Sequence, residues 1–471
     1  MGPAVLEEGK MKELLQSGMQ IARFNFSHGT AQDRMKALEL LRNAEKETGI
    51  QCATLCDTHG AEIRTGKVTG GKAFLKEGEK FNIYVNYMIG DEKGVCLRDF
   101  WEFPKFVQVG DILRLDYGLV SLKVTAVKKF SVETVIENSG PLGDHKIITV
   151  LGQKGSINDR PFLAYKDTID IDFAIRNNFD FIAASYVQRK EDVSELRELP
   201  GVAESGIAII SKIESQLAYD NLEEIISVSD GIYLTRSDIA VEVPIWKICE
   251  VQKDIAKKCN QAGVPCFLGS QVLTSMVRNP RPTRAECTDV ANAIYEGYDG
   301  LCLTTCTAIG KYPVEALEQL TKIAVEVEKE QGSYDLYVKM RQHVLRTVDV
   351  VSTTETVASS IVKSAWDLNA TLILLLSQNG DNSRFIAKYR PHCPVICVTD
   401  GKTARQVLQH RCCSGRVVDN IGEQIAKGNA ESIIKDTIEY AKKQGLVESG
   451  EHIIVASGKE EISHYVVRVV E

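Results

Sequence analysis

The sequence has no Cys-x-x-Cys pair, no long apolar run and no excess of positive charge. Its 471 residues carry 56 Lys and Arg against 64 Asp and Glu, a net charge of −8. Because nucleic-acid binders neutralise phosphates with basic residues, this balance predicts no nucleic-acid partner. No run approaches the ~18 apolar residues of a membrane span, so we also expect no membrane association. The opening MGPAVLEEGK lacks the apolar core of a signal peptide.

The 13 cysteines fit neither a disulfide framework nor a zinc site. Most lie inside apolar runs, such as Cys52, Cys56, Cys266 and Cys302. Buried, reduced cysteines are typical of proteins from a reducing compartment. We therefore predict free thiols and a cytoplasmic location.

A recurring pattern of apolar strands and amphipathic helices fills much of the chain, which is long enough for about three domains. The last five strands start at the spacing typical of βα units, roughly 20–35 residues apart. This predicts an α/β fold with a TIM (β/α)8 barrel in which one strand is unaccounted for. The candidate strands are 19–28, 51–59, 179–187, 206–214, 228–238, 263–271 and 297–306.

Two further regions depart from this rhythm. Residues 60–160 are rich in short β patterns with Gly and Lys, and predict an inserted β-barrel cap domain. Beyond about residue 340 a small α/β layer domain is indicated. The predicted division is 1–59 with 161–335 for the barrel, 60–160 for the cap and 340–471 for the C-terminal domain.

Polar side chains follow the strands, where barrel enzymes place their functional residues. Polar residues can also simply mark the point where a strand leaves the core. Because all seven strands end in charged, amide or hydroxyl side chains, we favour a functional site. The residues at these ends are Arg23, Asn25, Ser27, Asp57, Lys212, Glu214, Asp238 and Ser270.

The stretch GIAIISKIESQ, residues 206–216, ends a buried strand in two opposite charges. Residues i and i+2 of a strand point to the same side, so Lys212 and Glu214 face one place. With Asp238 from the next strand, the carboxylates suit Mg²⁺, and the lysine suits a phosphoryl group or an enolate oxygen. A simple Lys–Glu salt bridge at the barrel rim is an equally good local interpretation.

The segments ARFNFSHG and CDTHGAEIRTG add hydroxyl, amide and carboxylate oxygens that could hold a monovalent cation. Their arginines, Arg23 and Arg64, could clamp phosphates. His28 before Gly29 is more typical of a turn. In NPRPTRAE, Thr283 and Glu286 predict a helix capping box, and the role of the two arginines stays open.

Together these segments resemble the pyruvate kinase family along almost the whole chain. The motifs include SKIESQ, SDGIYLTRSD, NPRPTRAECTDVANAI, TTETVASSIV and TARQ. The resemblance implies transfer of a phosphoryl group from phosphoenolpyruvate to ADP, the last step of glycolysis, giving pyruvate and ATP. It also implies Mg²⁺ and K⁺ as cofactors and a homo- or hetero-tetramer.

The resemblance assigns roles to individual residues. Lys212 and Ser270 match catalytic residues, the lysine at the phosphoryl group and enolate and the hydroxyl at enolate protonation. Arg23, Ser237 and Asp238 match substrate contacts, the last two through backbone amides. Glu214 and Asp238 match the Mg²⁺ ligands. The K⁺ ligands match Asn25, Ser27, Asp57 and Thr58, and the nucleotide contacts match Asn25, Phe26, Ser27, His28, Arg64 and Lys146.

Several positions near this site depart from the family pattern. His59 replaces a lysine, Ser237 replaces a glycine, and Tyr117 stands where the cap supplies an aspartate. Asp381 stands where the effector loop carries an arginine, so activation by fructose bisphosphate is predicted to be absent or weak. The alternative function is therefore a weak or inactive paralogue that binds ligands or joins hetero-oligomers.

The start of the sequence also differs from the family. Family members carry an extra segment and a strand ending in a TIGPAS-like motif, whereas this sequence opens at MGPAV. The first barrel strand is therefore expected to be truncated. Because a missing strand leaves two unpaired edges, the alternatives are a damaged fold, another segment in the gap or an incomplete sequence.

Overall fold

The structure is a computed structural model. It describes residues 1–7, 9–60, 62–98, 100–151, 162–330, 333–458 and 461–471. The predicted boundary between cap and barrel at residues 160 and 161 lies outside the described residues.

The chain begins with two helices and two strands of the barrel. These are α1 (Lys10–Gln16), β1 (Ile21–Asn25), α2 (Ala31–Thr48) and β2 (Ala53–Asp57). Helix α2 starts at a capping box, in which Thr30 and Asp33 each bond the other's backbone N–H, and it ends at Gly49 with φ of 70°. Glycine accepts this left-handed conformation without a steric penalty.

The inserted cap is made of β-strands, as predicted. They are β3 (Lys72–Leu75), β4 (Lys80–Tyr84), β5 (Gly94–Cys96), β6 (Ile112–Leu115), β7 (Val120–Val127), β8 (Ser131–Ile136), β9 (Gly140–Gly143) and β10 (Ile148–Leu151). Six of them form one sheet in the order β10-β6-β7-β8-β4-β5, and β3 pairs with β9. The alternating burial of these strands encloses a separate core around Phe81, Phe103 and Leu113.

The barrel resumes after the cap. Its elements are α3 (Tyr165–Arg176), β11 (Phe181–Ala184), α4 (Lys190–Glu198), α5 (Val202–Ser205), β12 (Ala208–Ile213), α6 (Gln216–Asp220), α7 (Leu222–Val228), β13 (Gly231–Thr235), α8 (Arg236–Glu242), α9 (Ile248–Ala262), β14 (Cys266–Gly269), α10 (Arg284–Glu296), β15 (Gly300–Cys302), α11 (Thr305–Ala308) and α12 (Pro313–Glu330). Thr283 and Glu286 form the predicted capping box of α10.

Seven parallel strands form the barrel sheet in the order β1-β2-β11-β12-β13-β14-β15. Each lies inside one of the seven predicted strand segments, which confirms the barrel. Among the described residues, no strand pairs with the free sides of β1 and β15. The amino group of Met1 lies at the β1 side and donates to the carbonyl oxygen of Arg23 at 2.5 Å.

The C-terminal unit is an α/β layer. It contains α13 (Ser333–Thr347), α14 (Thr353–Leu368), β16 (Leu372–Leu376), α15 (Asn382–Lys388), β17 (Val395–Thr399), α16 (Gly401–Gln406), β18 (Cys413–Val417), α17 (Ile421–Ala426), α18 (Ala430–Lys443), β19 (His452–Ser457) and β20 (His464–Val469). The sheet order is β18-β17-β16-β19-β20, and β20 is an antiparallel edge strand. This sheet with its flanking helices confirms the predicted α/β layer.

All 13 cysteines are free, and only Cys249 and Cys412 are exposed. No helix of the described residues is both long and apolar enough to span a bilayer.

Candidate active site

The amino group of Lys212 is the centre of a buried polar cluster at the carboxyl ends of β2, β11 and β12. Its Nζ lies 2.9 Å from Asp57 Oδ1, 2.8 Å from Ser185 Oγ and 2.9 Å from Glu214 Oε1. Burial alone would lower the pKa of Lys212, but Asp57 and Glu214 outweigh it and raise that pKa. The Lys212 amino group is therefore a buried positive charge whose position is fixed by three hydrogen-bond acceptors.

The predicted facing of Lys212 and Glu214 is confirmed, and so is the salt bridge between them. The bridge is one part of a larger set, because Glu214 also accepts from the backbone N–H of Tyr186 at 2.8 Å and from Thr235 Oγ1 at 3.0 Å. Three donors on one carboxylate, including the Lys212 amino group, fix its direction. A rim salt bridge between exposed side chains would have no such support.

Asp57 joins Arg23 to the same cluster. Arg23 Nε donates to Asp57 Oδ2 at 2.5 Å, while the other carboxylate oxygen serves Lys212. Burial alone would raise the pKa of Asp57, but Arg23 and Lys212 overcome it and hold the pKa below its usual range. Strand register explains the meeting, since Asn25 pairs with Asp57, and Asp57 pairs with Ala183.

The proposed Mg²⁺ ligands carry more negative charge than their protein partners neutralise. Burial first, and then the Glu214 carboxylate, raise the pKa of Asp238 to about 7. Burial likewise raises the pKa of Glu62, which has Glu214 as a further carboxylate neighbour. Repulsion between buried carboxylates is what a divalent cation relieves, so the oxygen donors present fit Mg²⁺. Among the described residues, no group of three or more His, Cys, Asp and Glu residues is arranged to hold a metal ion by itself.

Ser237 and Ser270 lie beside Asp238. The Ser237 hydroxyl is 2.9 Å from Asp238 Oδ2 and 3.0 Å from the hydroxyl of Ser270. Ser270 has a left-handed φ of 66°, and its carbonyl accepts from the guanidinium of Arg236 at 3.0 and 3.2 Å. Arg236 is in turn fixed by Asp289 at 2.7 and 2.9 Å.

The loop after β1 holds the other predicted cation and nucleotide residues. Asn25 Oδ1 accepts from the Ser27 backbone at 2.9 Å, and Ser27 Oγ lies 3.1 Å from His59 Nδ1. Burial, with Lys166 and Arg64 nearby, lowers the pKa of His59 to about 4. The imidazole of His59 is therefore neutral near pH 7.

Phe26 does not present its side chain to the site. Its ring is 1% exposed and packs edge-on against Phe173 and Phe179. Its carbonyl oxygen accepts from Arg34 at 3.0 Å and Lys166 at 2.8 Å. The ring belongs to the core because β1 ends in alternating core positions, so the predicted nucleotide contact of Phe26 stays a prediction that concerns its backbone and not its ring.

His28 and Thr58 complete the predicted residues of this region. Burial, with Arg64 and Arg23 nearby, lowers the pKa of His28. Thr58 is buried, and its hydroxyl donates to Ala183 at 3.4 Å and accepts from the Ser185 backbone at 3.0 Å. The side chain of Thr58 thus ties β2 to β11.

The cap residues Arg64 and Lys146 lie on adjacent backbone segments. Arg64 Nε donates to Glu62 at 2.5 Å, and the backbone N–H of Lys146 donates to Thr65 Oγ1 at 2.8 Å. The amino group of Lys146 pairs with Asp116 at 2.9 Å, so it contacts the cap and not the barrel cluster. Burial first, then the Asp238 carboxylate, raise the pKa of Tyr117, which places its phenol near the proposed metal ligands.

Sequence reasoning missed three polar residues of the cluster. Ser185 follows strand β11, Thr235 ends β13, and Glu62 lies in the EIRTG segment. The rule that polar residues at strand ends form the site would have found Ser185 and Thr235, had it been applied to serine and threonine in every strand. Glu62 could not be found that way, because it follows the strand by five positions and reaches the site through the cap junction.

The described elements make up a parallel barrel with a buried lysine between two carboxylates at its strand ends, a β-stranded insertion and an α/β layer. The family profile described as "Pyruvate kinase, barrel domain" matches residues 1–317, and "Pyruvate kinase, alpha/beta domain" matches residues 355–466. The chain belongs to the pyruvate kinase family.

Relatives cover almost the whole chain. A pyruvate kinase of Dictyostelium discoideum is 37% identical over 97% of this chain and 90% of its own length. One of Leishmania mexicana is 33% identical over 99% and 93%. The crystal structure of a pyruvate kinase from Cryptosporidium parvum covers 100% of this chain and 95% of that one, with 32% identity and a TM-score of 0.89.

Proposed function

We propose that this protein transfers the phosphoryl group of phosphoenolpyruvate to ADP, forming pyruvate and ATP. The observation that carries the proposal is the Lys212 amino group, 8% exposed and held by Asp57, Glu214 and Ser185. A fixed positive charge in a dry site stabilises charge that develops in a transition state far better than one in water.

The chain's own residues would divide the work as follows. Lys212 would neutralise the transferring phosphoryl oxygens and the enolate oxygen left behind, and Arg23 would orient the phosphoryl group. Backbone N–H groups at Ser237 and Asp238, in the first turn of α8, would receive the substrate carboxylate. Ser270 would give the enolate carbon its proton.

Glu214 and Asp238 are the proposed Mg²⁺ ligands. When bound, the ion supplies positive charge to the phosphoryl and carboxylate oxygens of the substrate. We further propose K⁺ among Asn25, Ser27, Asp57 and Thr58, because β1 and β2 end side by side, with Asn25 paired to Asp57. The Asp57 carboxylate already accepts hydrogen bonds from Arg23 and Lys212. Its proposed role toward K⁺ is therefore twofold: it adds negative charge near the ion, and it donates an oxygen ligand.

Arg64, His28 and Lys146 are proposed nucleotide contacts. Arg64 and His28 lie close enough for the arginine to lower the pKa of the imidazole. Lys146 would have to leave Asp116 and approach the barrel, which a closing motion of the cap would accomplish while excluding water. We also propose that the chain divides into barrel, cap and C-terminal domains at the boundaries predicted from the sequence.

We also propose an oligomer and a cytoplasmic site of action. Edge strand β20 presents Val466, Val467 and Val469 at 49%, 41% and 55% exposure, and an uncovered apolar edge favours pairing with another chain. The uniformly free cysteines suit a reducing compartment. Light scattering of the purified protein tests the oligomer, and a monomer at micromolar concentration would contradict it.

The deciding experiment measures pyruvate formation from phosphoenolpyruvate and ADP with Mg²⁺ and K⁺. Lys212→Met, which keeps the length of the side chain and removes its charge, is the control variant. Turnover that the control abolishes supports the proposal. A folded protein that binds substrate without turnover contradicts it and favours the alternative of an inactive binding paralogue.

A further inference from the structure

A hairpin of the inserted cap contacts a helix of the barrel. The guanidinium of Arg114, on strand β6, donates a hydrogen bond to the carbonyl oxygen of Val241, 127 positions further along the chain. Val241 lies in the last turn of helix α8, whose first turn carries Asp238. The contact therefore ties the cap to the helix that bears a proposed Mg²⁺ ligand.

The alternation of strand β6 directs Arg114 away from the cap core. Leu113 and Leu115 are fully buried, whereas Arg114 between them is half-buried on the opposite face of the sheet. A β-carbon added at Gly118 would lie 3.5 Å from the Cδ of Arg114. The turn after the strand therefore lies against the apolar stem of the arginine, and the guanidinium extends to the barrel.

The carbonyl oxygen of Val241 is a favourable acceptor for a cation. The last carbonyl groups of a helix have no partner within the helix, and they carry the negative end of its dipole. Helix α8 ends at Glu242, two residues before Pro244, and basic side chains commonly bond such terminal carbonyls. Because both groups belong to the protein, the contact needs no substrate in order to form.

The turn that follows Arg114 is fixed by the cap itself. Asp116 and Tyr117 have left-handed φ values of 48° and 57°, which persist in such residues only where the surroundings hold them. The backbone N–H of Asp116 donates to the carbonyl oxygen of Ile147 at 3.0 Å, and the Asp116 carboxylate pairs with Lys146 at 2.9 Å. Restraining Arg114 therefore restrains the hairpin tip and Lys146 together.

We propose that Arg114 is a positioning residue that holds the cap against helix α8. A cap held near the barrel has less distance left to close before Lys146 can reach a bound nucleotide. Loss of the contact should therefore weaken nucleotide binding and leave the chemical step unchanged. This kinetic consequence rests on the proposed function, whereas the contact between cap and helix does not.

The first test compares hydrogen exchange of the wild type and Arg114→Met, followed by mass spectrometry without substrates. The variant keeps an unbranched side chain and removes the donors, so exchange should rise about fivefold in residues 112–120 and 236–243 and stay unchanged in the rest of the cap. Lys123→Met is the matched control, because Lys123 is exposed on the neighbouring strand β7, opposite Ile112 on the face that carries Arg114. Arg114→Lys keeps the charge and should restore part of the protection.

Steady-state kinetics provide the second test. Arg114→Met should raise the KM for ADP by roughly fivefold, which is the worth of a partly exposed hydrogen bond from a charged donor. The kcat should stay within about twofold, because binding is weakened equally before and during the reaction. The KM for phosphoenolpyruvate, whose proposed contacts lie on the barrel, should not change.

The outcomes distinguish this inference from the proposed function. Exchange that is equal in Arg114→Met and Lys123→Met, or that rises throughout the cap, overturns the role of Arg114 in holding the cap. Raised exchange with an unchanged KM for ADP overturns the effect on nucleotide binding. A wild type without turnover overturns the proposed function, and the exchange measurement then still decides the role of Arg114.

Discussion

Two buried lysines in this protein are paired with glutamates but differ in their surroundings. Lys388 in the C-terminal unit lies 2.8 Å from Glu355, whose carboxylate also accepts from the Tyr389 hydroxyl at 2.5 Å. Lys212 in the barrel has Glu214 at nearly the same distance and Asp57 as a second carboxylate. Both lysine side chains are under a tenth exposed.

The difference lies in the balance of charge. Around Lys388 one cation meets one carboxylate, which satisfies both groups and suits a structural role. Around Lys212 the neighbouring Asp238 and Glu62 add carboxylates whose pKa values burial and mutual repulsion raise. A cluster that stays incomplete without a further cation is costly for stability and useful for binding.

The strongest way to break this comparison is to remove each lysine in turn. Lys212→Met should lower kcat by about 10³-fold, because a preorganised charge at the transition state is lost. The matched variant Lys388→Met should retain kcat within a few-fold in the same assay. Loss of activity in both, or in neither, would contradict the division of roles.

The variant with the larger effect should be Lys388→Met, and not Lys212→Met, when the stability of the C-terminal unit is measured instead of activity. Lys388→Met should lower the free energy of unfolding of the C-terminal unit by about 3–5 kcal/mol, because Glu355 is left as an unpaired buried charge. Urea unfolding provides the measurement. The double variant Lys388→Met with Glu355→Leu should recover most of that loss, and a double variant as unstable as the single one would count against the explanation.

Removing one of the repelling carboxylates near Lys212 tests whether the charge of that cluster is unbalanced. Asp238→Asn should raise the free energy of unfolding without Mg²⁺ by about 1–3 kcal/mol above pH 7, since the pKa of Asp238 is raised. It should also abolish stabilisation by Mg²⁺. Thermal unfolding with and without Mg²⁺ measures both effects. The wild type in the same two buffers is the control.

A further prediction concerns the stability contributed by a buried histidine that the fold keeps neutral. Burial, with Arg384 nearby, lowers the pKa of His410 to about 3 from its usual 6.5, and its Nδ1 lies 2.7 Å from Ser383 Oγ. Its contribution to stability is therefore complete above pH 6.5 and is lost as the pH falls toward 3. The slope is about 1.4 kcal/mol per pH unit.

The variant His410→Gln isolates this contribution from the carboxylates that titrate in the same range. The difference in free energy of unfolding between wild type and variant should shrink by about 1.4 kcal/mol for each pH unit as the pH falls from 6 to 4. A difference that stays constant with pH would show that His410 does not titrate as its burial indicates.

Periodicity in the sequence was enough to find the seven barrel strands, because each is a short apolar run that ends in polar residues. The same rule listed Lys212, Glu214 and Asp57 among the polar residues at the strand ends of the barrel, without pairing Asp57 with Lys212. It could not tell that the ring of Phe26 enters the core, where it packs against Phe173 and Phe179. Local sequence does not distinguish a side chain that faces the core from one that faces the site at the end of a strand.

The sequence by itself determined the order of strands and the types of charge at their ends, since both depend on local patterns. Only the tertiary structure decided which charges neutralise each other. The pairing of Lys212 with Asp57 spans 155 positions along the chain, and the cap brings Glu62 and Tyr117 toward the same carboxylates. Burial then sets the pKa values, because the cost of a charge depends on the water that the surrounding elements exclude.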